Sequence, residues 1–151
     1  MGKGDIILKG ANALDPEGVA GVLIGHPKGG TCGAFWGTLK ARGLRLLIPI
    51  GLEKMVSHSI IYTSTEMGID EIDIADGIKS GLFPLIGEVF TEIEALETLF
   101  DLEVLHIASG GVGGAEGSVT LLLIGEEEVV AKAFDFCQKL KTVPPFVPKI
   151  K

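Results

Sequence analysis

The chain has 151 residues, 46% of them hydrophobic, and a formal charge of −7 at neutral pH. That length allows one good-sized core or two small packed subdomains. The negative charge argues against an unassisted nucleic-acid partner, because a phosphate backbone selects positive surfaces. Mean hydropathy is +0.43, but the longest apolar stretches, residues 19–24, 46–52 and 119–124, are short. A spanning helix needs roughly 18–20 apolar residues, so no membrane partner is expected and these runs read as buried strands.

The start, Met1-Gly2-Lys3-Gly4-Asp5, runs straight into a strand-like segment without an apolar signal core. Ile6 stands where a myristoylation pattern needs Ser or Thr. Cys32 and Cys137 lie far apart, with no Cys or His at zinc-finger spacing. Reduced thiols, no cofactor, no bound metal and a cytoplasmic location are the expectation.

In chain order, residues 5–10 read as a strand, and Asp15-Pro16-Glu17-Gly18 fits a type I turn. Residues 19–25 form a second strand, apolar throughout and so central in its sheet. A glycine-rich turn, 25–33, opens a helix over 34–42, with Thr31 as N-cap and Phe35, Trp36 and Leu39 as its apolar stripe. Lys40, Arg42 and Gly43 suit the helix C-terminus. Residues 44–50 are a third strand and 52–56 a short helical turn; 57–68 is ambiguous between helix and strand. Alternating apolar and acidic residues over 69–74 suggest an edge strand.

The second half reads as a strand over 82–90, then a capping box, Thr91 with Glu94, opening a helix with Ile93, Leu96 and Phe100 on one face. Strands follow at 102–108 and 118–125, joined by a glycine-rich connection. A last helix starts at Glu126, with Val129, Val130, Ala133, Phe134, Cys137 and Leu140 at helical spacing. The proline-bearing tail, 143–151, is expected to be extended. The class is therefore α/β: a layered αβ core over residues 1–76 and a ferredoxin-like β-α-β-β-α unit over 77–151, with the boundary near 76–80. The pattern is also compatible with one compact unit.

The feature with most chemical content is the strand, glycine loop and helix over 19–42. A helix N-terminus presents unpaired N–H groups and partial positive charge, and glycines let a ligand approach the backbone. Lys28 adds a charge, Thr31 a hydroxyl and His26 a titratable ring, which together suit a phosphate or carboxylate. The spacing of Gly25, Gly29, Gly30 and Gly33 matches neither a Walker A loop nor a dinucleotide fingerprint. The plainer reading is a tight connection using glycine for its backbone angles. The second glycine-rich segment, 110–117, leads into a strand, so no helix dipole points at it and it reads as a hairpin connection. His106 falls in an apolar strand and reads as a core or interface histidine; His58 is remote from the other two. A metal set of His26, Cys32 and a carboxylate is the weaker alternative at the turn. Glu92, Glu94 and Glu97 read as a solvated helix face, and Asp15 as either a turn residue or a functional acid.

The run Lys9-Gly10-Ala11-Asn12-Ala13-Leu14-Asp15, then Gly18, an apolar strand, the glycine-rich turn, a helix and Leu46-Leu47-Ile48-Pro49-Ile50-Gly51 with Lys54, resembles a known layout. It is similar to the core of the sugar-phosphate isomerase/CoA-transferase-like superfamily, nearest in rhythm to its lactate-utilisation (LUD-type) branch. The resemblance covers residues 5–56, and Asn12 stands where that motif has an acid. It implies that Asn12, Asp15 and the Gly29-Gly30-Thr31 turn face a ligand cleft, with Lys54 near its rim. The second half is loosely similar to small ferredoxin-like modules that assemble through their sheets, including microcompartment-shell-type domains.

Two functions are therefore expected. One is binding of a small anionic metabolite by Asn12, Asp15, His26, Lys28, Gly29, Gly30 and Thr31. The other is a non-catalytic, homo-oligomeric interaction module, and the two are compatible.

Overall fold

The computed structural model describes residues 2–144. It divides into two compact units, Met1–Glu92 with Ser109–Val119, and Ile93–Ala108 with Thr120–Lys151. Among the described residues no helix is long and apolar enough to cross a membrane.

The first unit holds two three-stranded sheets. The parallel one is ordered β1 (Ile6–Leu8), β4 (Arg45–Pro49), β6 (Glu88–Phe90). Its central strand β4 carries the buried side chains Leu46 and Ile48, as an apolar run between parallel neighbours should. The antiparallel sheet is ordered β2 (Ala13–Leu14), β3 (Ala20–Ile24), β5 (Gly81–Leu85). Leu23 stands opposite Leu82, and Val22 opposite Phe83. The two-residue alternation thus puts Gly21, Leu23, Leu82 and Pro84 on one face and Ala20, Val22, Phe83 and Leu85 on the other.

Each face has its helix. α1 (Gly30–Arg42) meets the second face through Trp36, whose ring stands edge-on to Phe83 at 5.2 Å. α2 (Ile60–Thr65) covers the first. A Cβ on Gly21 would lie 3.2 Å from Ile60 Cγ2 and 2.9 Å from Leu82 Cδ1, so glycine lets α2 close onto the sheet. A 3₁₀ turn, Leu52–Lys54, leads to Val56, whose N–H bonds the Leu14 carbonyl and ties β2 to this segment.

The second unit carries α3 (Glu92–Leu99), β7 (Glu103–Ser109), β8 (Val119–Ile124) and α4 (Glu127–Leu140), some terminal residues aside. β7 and β8 pair as a two-stranded sheet. Among the described residues of this unit Leu96, Val104 and Ala133 are buried, and Phe100 meets Phe136 edge-on at 5.8 Å. Glu97 Oε1 accepts the Val104 N–H at 3.0 Å, tying α3 to β7.

The α/β class stands, while several local expectations change. The strand expected over 82–90 is two strands in two sheets. The break falls at Gly87, where a Cβ would come within 2.7 Å of the Leu46 carbonyl oxygen, so only glycine lets the chain cross over β4. Because β5 pairs with β3 and β6 with β4, residues 81–90 belong to the first unit, and the boundary expected near 76–80 lies inside it. No strand forms over 69–74: the Glu71 and Ile72 N–H groups both turn back onto the Gly68 carbonyl. The ambiguous 57–68 segment resolves as α2, capped by Ser59, whose Oγ accepts the Tyr62 N–H. On α4, Ala133 is buried and Val129, Val130 and Cys137 half-buried, but Phe134 and Leu140 are exposed. Residues 145–151 of the expected extended tail lie outside the described residues.

Candidate functional site

The turn between β3 and α1 is built by two left-handed glycines. His26 O accepts the Gly29 N–H at 2.9 Å, closing a tight turn, and Gly29 (φ 77°) and Gly30 (φ 54°) reverse the chain. A side chain at either position would strain the backbone. Gly33 N–H bonds Gly29 O at 2.9 Å, so the helix starts at Gly30, with Gly29 as N-cap and no side-chain cap. The expected cap, Thr31, instead sits inside the first turn. Gly33 is required for a different reason: a Cβ there would run into the Lys28 carbonyl oxygen. At the far end Gly43, in the left-handed region, donates its N–H to Leu39 O and Lys40 O, as expected of a helix exit.

This start leaves the first amides of α1 without carbonyls one turn back. His26, Lys28, Gly30, Thr31, Gly33 and Ala34 line one open cleft of about 580 Å³. The exposed His26 ring is partly engaged, because its Nδ1 accepts the Lys28 N–H at 3.1 Å. That places the ring hydrogen of a neutral His26 on Nε2. Thr31 is exposed and next to Cys32, which is fully buried; burial pushes the Cys32 thiol up, partly offset by the Lys9 charge and a hydrogen bond with Thr31.

The other two expected ligand residues are placed elsewhere. Asp15 is 1% exposed. Its Oδ1 accepts the Glu17 and Val19 N–H groups at 3.1 and 2.8 Å, and its Oδ2 accepts the Ile60 N–H at 2.8 Å. Together with the Gly18 N–H to Asp15 O bond, this makes Asp15 the anchor of its turn and of the α2 entrance. Asn12 is exposed, and its Oδ1 accepts the Leu23 N–H at 3.0 Å. It lines a second, more closed cavity of about 330 Å³ with Ser57, His58, Ile60, Thr63 and Leu82 among its walls. Lys54, the rim residue implied by the resemblance, donates from Nζ to Ala11 O at 3.0 Å. The seven expected residues therefore fall into a group at the α1 start, Asn12 in a separate cavity, and Asp15 inside the core.

Ser57, His58 and Thr63 gained no role from sequence, because no local spacing joins them to Asn12. Ser57 Oγ and His58 Nδ1 are 2.9 Å apart. His106 is half-buried on β7, and one ring nitrogen, Nε2, lies 3.1 Å from Ala108 O. The 110–117 segment closes on itself: Gly110 N–H donates to Ser118 O and Ser118 Oγ to Gly110 O. Among the described residues no group of three or more His, Cys, Asp or Glu gathers as a metal site would, so the His26 and Cys32 set lacks its further ligands.

No family model, curated protein or solved structure matches this chain.

Proposed function

We propose that the chain binds a small anionic metabolite, a carboxylate or phosphate, at the start of α1. The observation that carries this reading is that His26, Lys28 and the first residues of a 13-residue helix line one cleft. Unpaired amides, the helix dipole and the Lys28 ammonium act on a ligand in the same sense there. The binding residues are His26, Lys28, Gly29, Gly30 and Thr31; Asp15 and Asn12 act through the scaffold. The superfamily resemblance carried by the motif residues implies such a cleft after this strand and turn.

Amide NMR titration of the whole chain with inorganic phosphate, sulfate and citrate tests the reading. Saturable shifts at Gly30, Thr31 and Cys32, weakened at least ten-fold by Lys28→Glu, are expected. Unmoved amides at these positions, or equal affinity in the variant, overturn it.

The second reading is a homo-oligomeric interaction module. It is favoured by the apolar residues each strand of the second unit turns outward, Leu105 and Ile107 on β7, Leu122 and Ile124 on β8. The ferredoxin-like likeness rests there on the order α3-β7-β8-α4 alone. Light scattering after size exclusion should give a multimer that Ile107→Lys with Leu122→Lys dissociates. A monomer at high concentration removes this reading.

A further inference from the structure

We propose that the cavity between α2 and the sheet face carrying Leu23 and Leu82 binds a small uncharged molecule, an amide or alcohol on an apolar body. This site shares no lining residue with the α1 cleft. Its volume of about 330 Å³ corresponds to roughly ten water molecules. The walls are mainly Leu23, Val56, Ile60, Met67 and Leu82, so displacing those waters by an apolar body is favourable.

The polar groups at the wall have capacity left over. Asn12 uses Oδ1 on the Leu23 N–H and keeps its two amide hydrogens as donors. His58 engages Ser57 through Nδ1 and keeps Nε2. Thr63 donates to Ser59 O and keeps acceptor lone pairs. A ligand with one acceptor and one donor, as in a carboxamide, complements this set.

The walls are held before any ligand arrives. Asp15 fixes the Ile60 N–H, Ser59 caps Tyr62, and Gly21 lets Ile60 and Leu82 meet over the sheet. A preformed cavity avoids the ordering cost of closing around a ligand. The same geometry selects against an anion. The Asp15 carboxylate sits behind Ile60, and Lys54 is held by Ala11 O outside the lining. No lysine or arginine lines the cavity to neutralise an acid entering it.

Benzamide and benzoate have one shape and differ in charge, so they serve as probes in amide NMR of the whole chain. Benzamide should give saturable shifts at Asn12, Leu23, Ser57, His58 and Thr63, and benzoate should bind there at least ten-fold more weakly. Val56→Trp, placed at an exposed wall residue, should abolish these shifts, and Leu23→Trp serves if that variant does not fold. His58→Ala should weaken benzamide several-fold. The proposal is overturned if benzamide fails to saturate at these residues, if a folded blocking variant keeps its affinity, or if benzoate binds equally well. Benzoate shifts confined to Gly30 and Thr31, with benzamide saturating the cavity residues, would be the expected selectivity and support the proposal.

Discussion

Asp15 Oδ2 accepts the Ile60 N–H at 2.8 Å across 45 residues of chain. The same carboxylate holds Glu17 and Val19 through Oδ1. A carboxylate this buried is stabilised by its three amide donors, and removing it leaves the buried Ile60 N–H and the part-buried Glu17 and Val19 N–H groups without this acceptor. Asp15→Ala should lower stability by about 3–5 kcal/mol, and Asp15→Asn by about 2–3, because an amide presents only one acceptor oxygen. Urea unfolding measures both. An unchanged midpoint in Asp15→Ala would show the carboxylate to be dispensable to the fold.

This residue also marks how far the sequence can be read. The motif around Asn12 and Asp15 suggests a ligand cleft, and a turn aspartate and a functional acid are identical at that level. What separates them is Ile60, whose position against Asp15 no spacing rule supplies. The elements fixed by local periodicity and punctuation were legible: β3, β4, α1 with its Gly43 exit, and α4. Those decided by distant backbone were not. Gly87 looks like an interior strand glycine until the Leu46 carbonyl is placed beside it. Thr31 has the chemistry of a cap, yet the left-handed pair Gly29 and Gly30 starts the helix before it. The cavity joining Asn12 to His58 draws on β2, β3, α2, β5 and the segments between them, and has no signature in any one of them.

Two glycines of α1 should respond to alanine in opposite directions. At Gly33 a Cβ meets the Lys28 carbonyl, so Gly33→Ala must push the turn away from the helix, costing about 2 kcal/mol or more. It should also shift the Gly30 and Thr31 amides, since they share that turn. At Gly37 a Cβ meets nothing within 4 Å. Gly37→Ala should then stabilise the helix by about 0.5–1 kcal/mol through propensity. Trp36, the chain's one tryptophan, sits between the two sites, so its fluorescence follows unfolding in both variants.

Arg45 and Glu88 form a two-pronged pair across β4 and β6, Nε to Oε1 at 2.8 Å and Nη2 to Oε2 at 2.6 Å. The guanidinium holds the Glu88 carboxyl below its usual range. A depressed folded-state pKa means the pair contributes above the ordinary value of 4.5 and is lost as pH falls below it. Both side chains are more than half exposed, so the contribution is small and screened by salt. Glu88→Gln should therefore be slightly less stable than the parent at pH 7 in low salt. The two stability curves should converge as pH falls well below 4.5, or in about 1 M salt. A difference that persists in acid would place the effect in packing instead.

Cys32 offers the opposite sign. Burial raises its thiol pKa above the ordinary 9.0, with the Lys9 charge and the Thr31 hydrogen bond opposing but not cancelling that shift. The folded state then keeps the thiol proton more tightly than the unfolded chain does. Stability from this group is full below pH 9 and falls as pH rises through the folded-state value. Cys32→Ala should cost about 1–2 kcal/mol at pH 7, from a lost buried sulfur, and should remove this part of the alkaline decline. The same burial governs reactivity, since the thiolate is the nucleophile and Cys32 is both covered and held neutral. Iodoacetamide at pH 8 should label the half-buried Cys137 first, with Cys32 reacting only as fast as the unit opens in added urea. Equal labelling of both thiols in native buffer would mean that α1 leaves its sheet far more often than its packing on Phe83 implies.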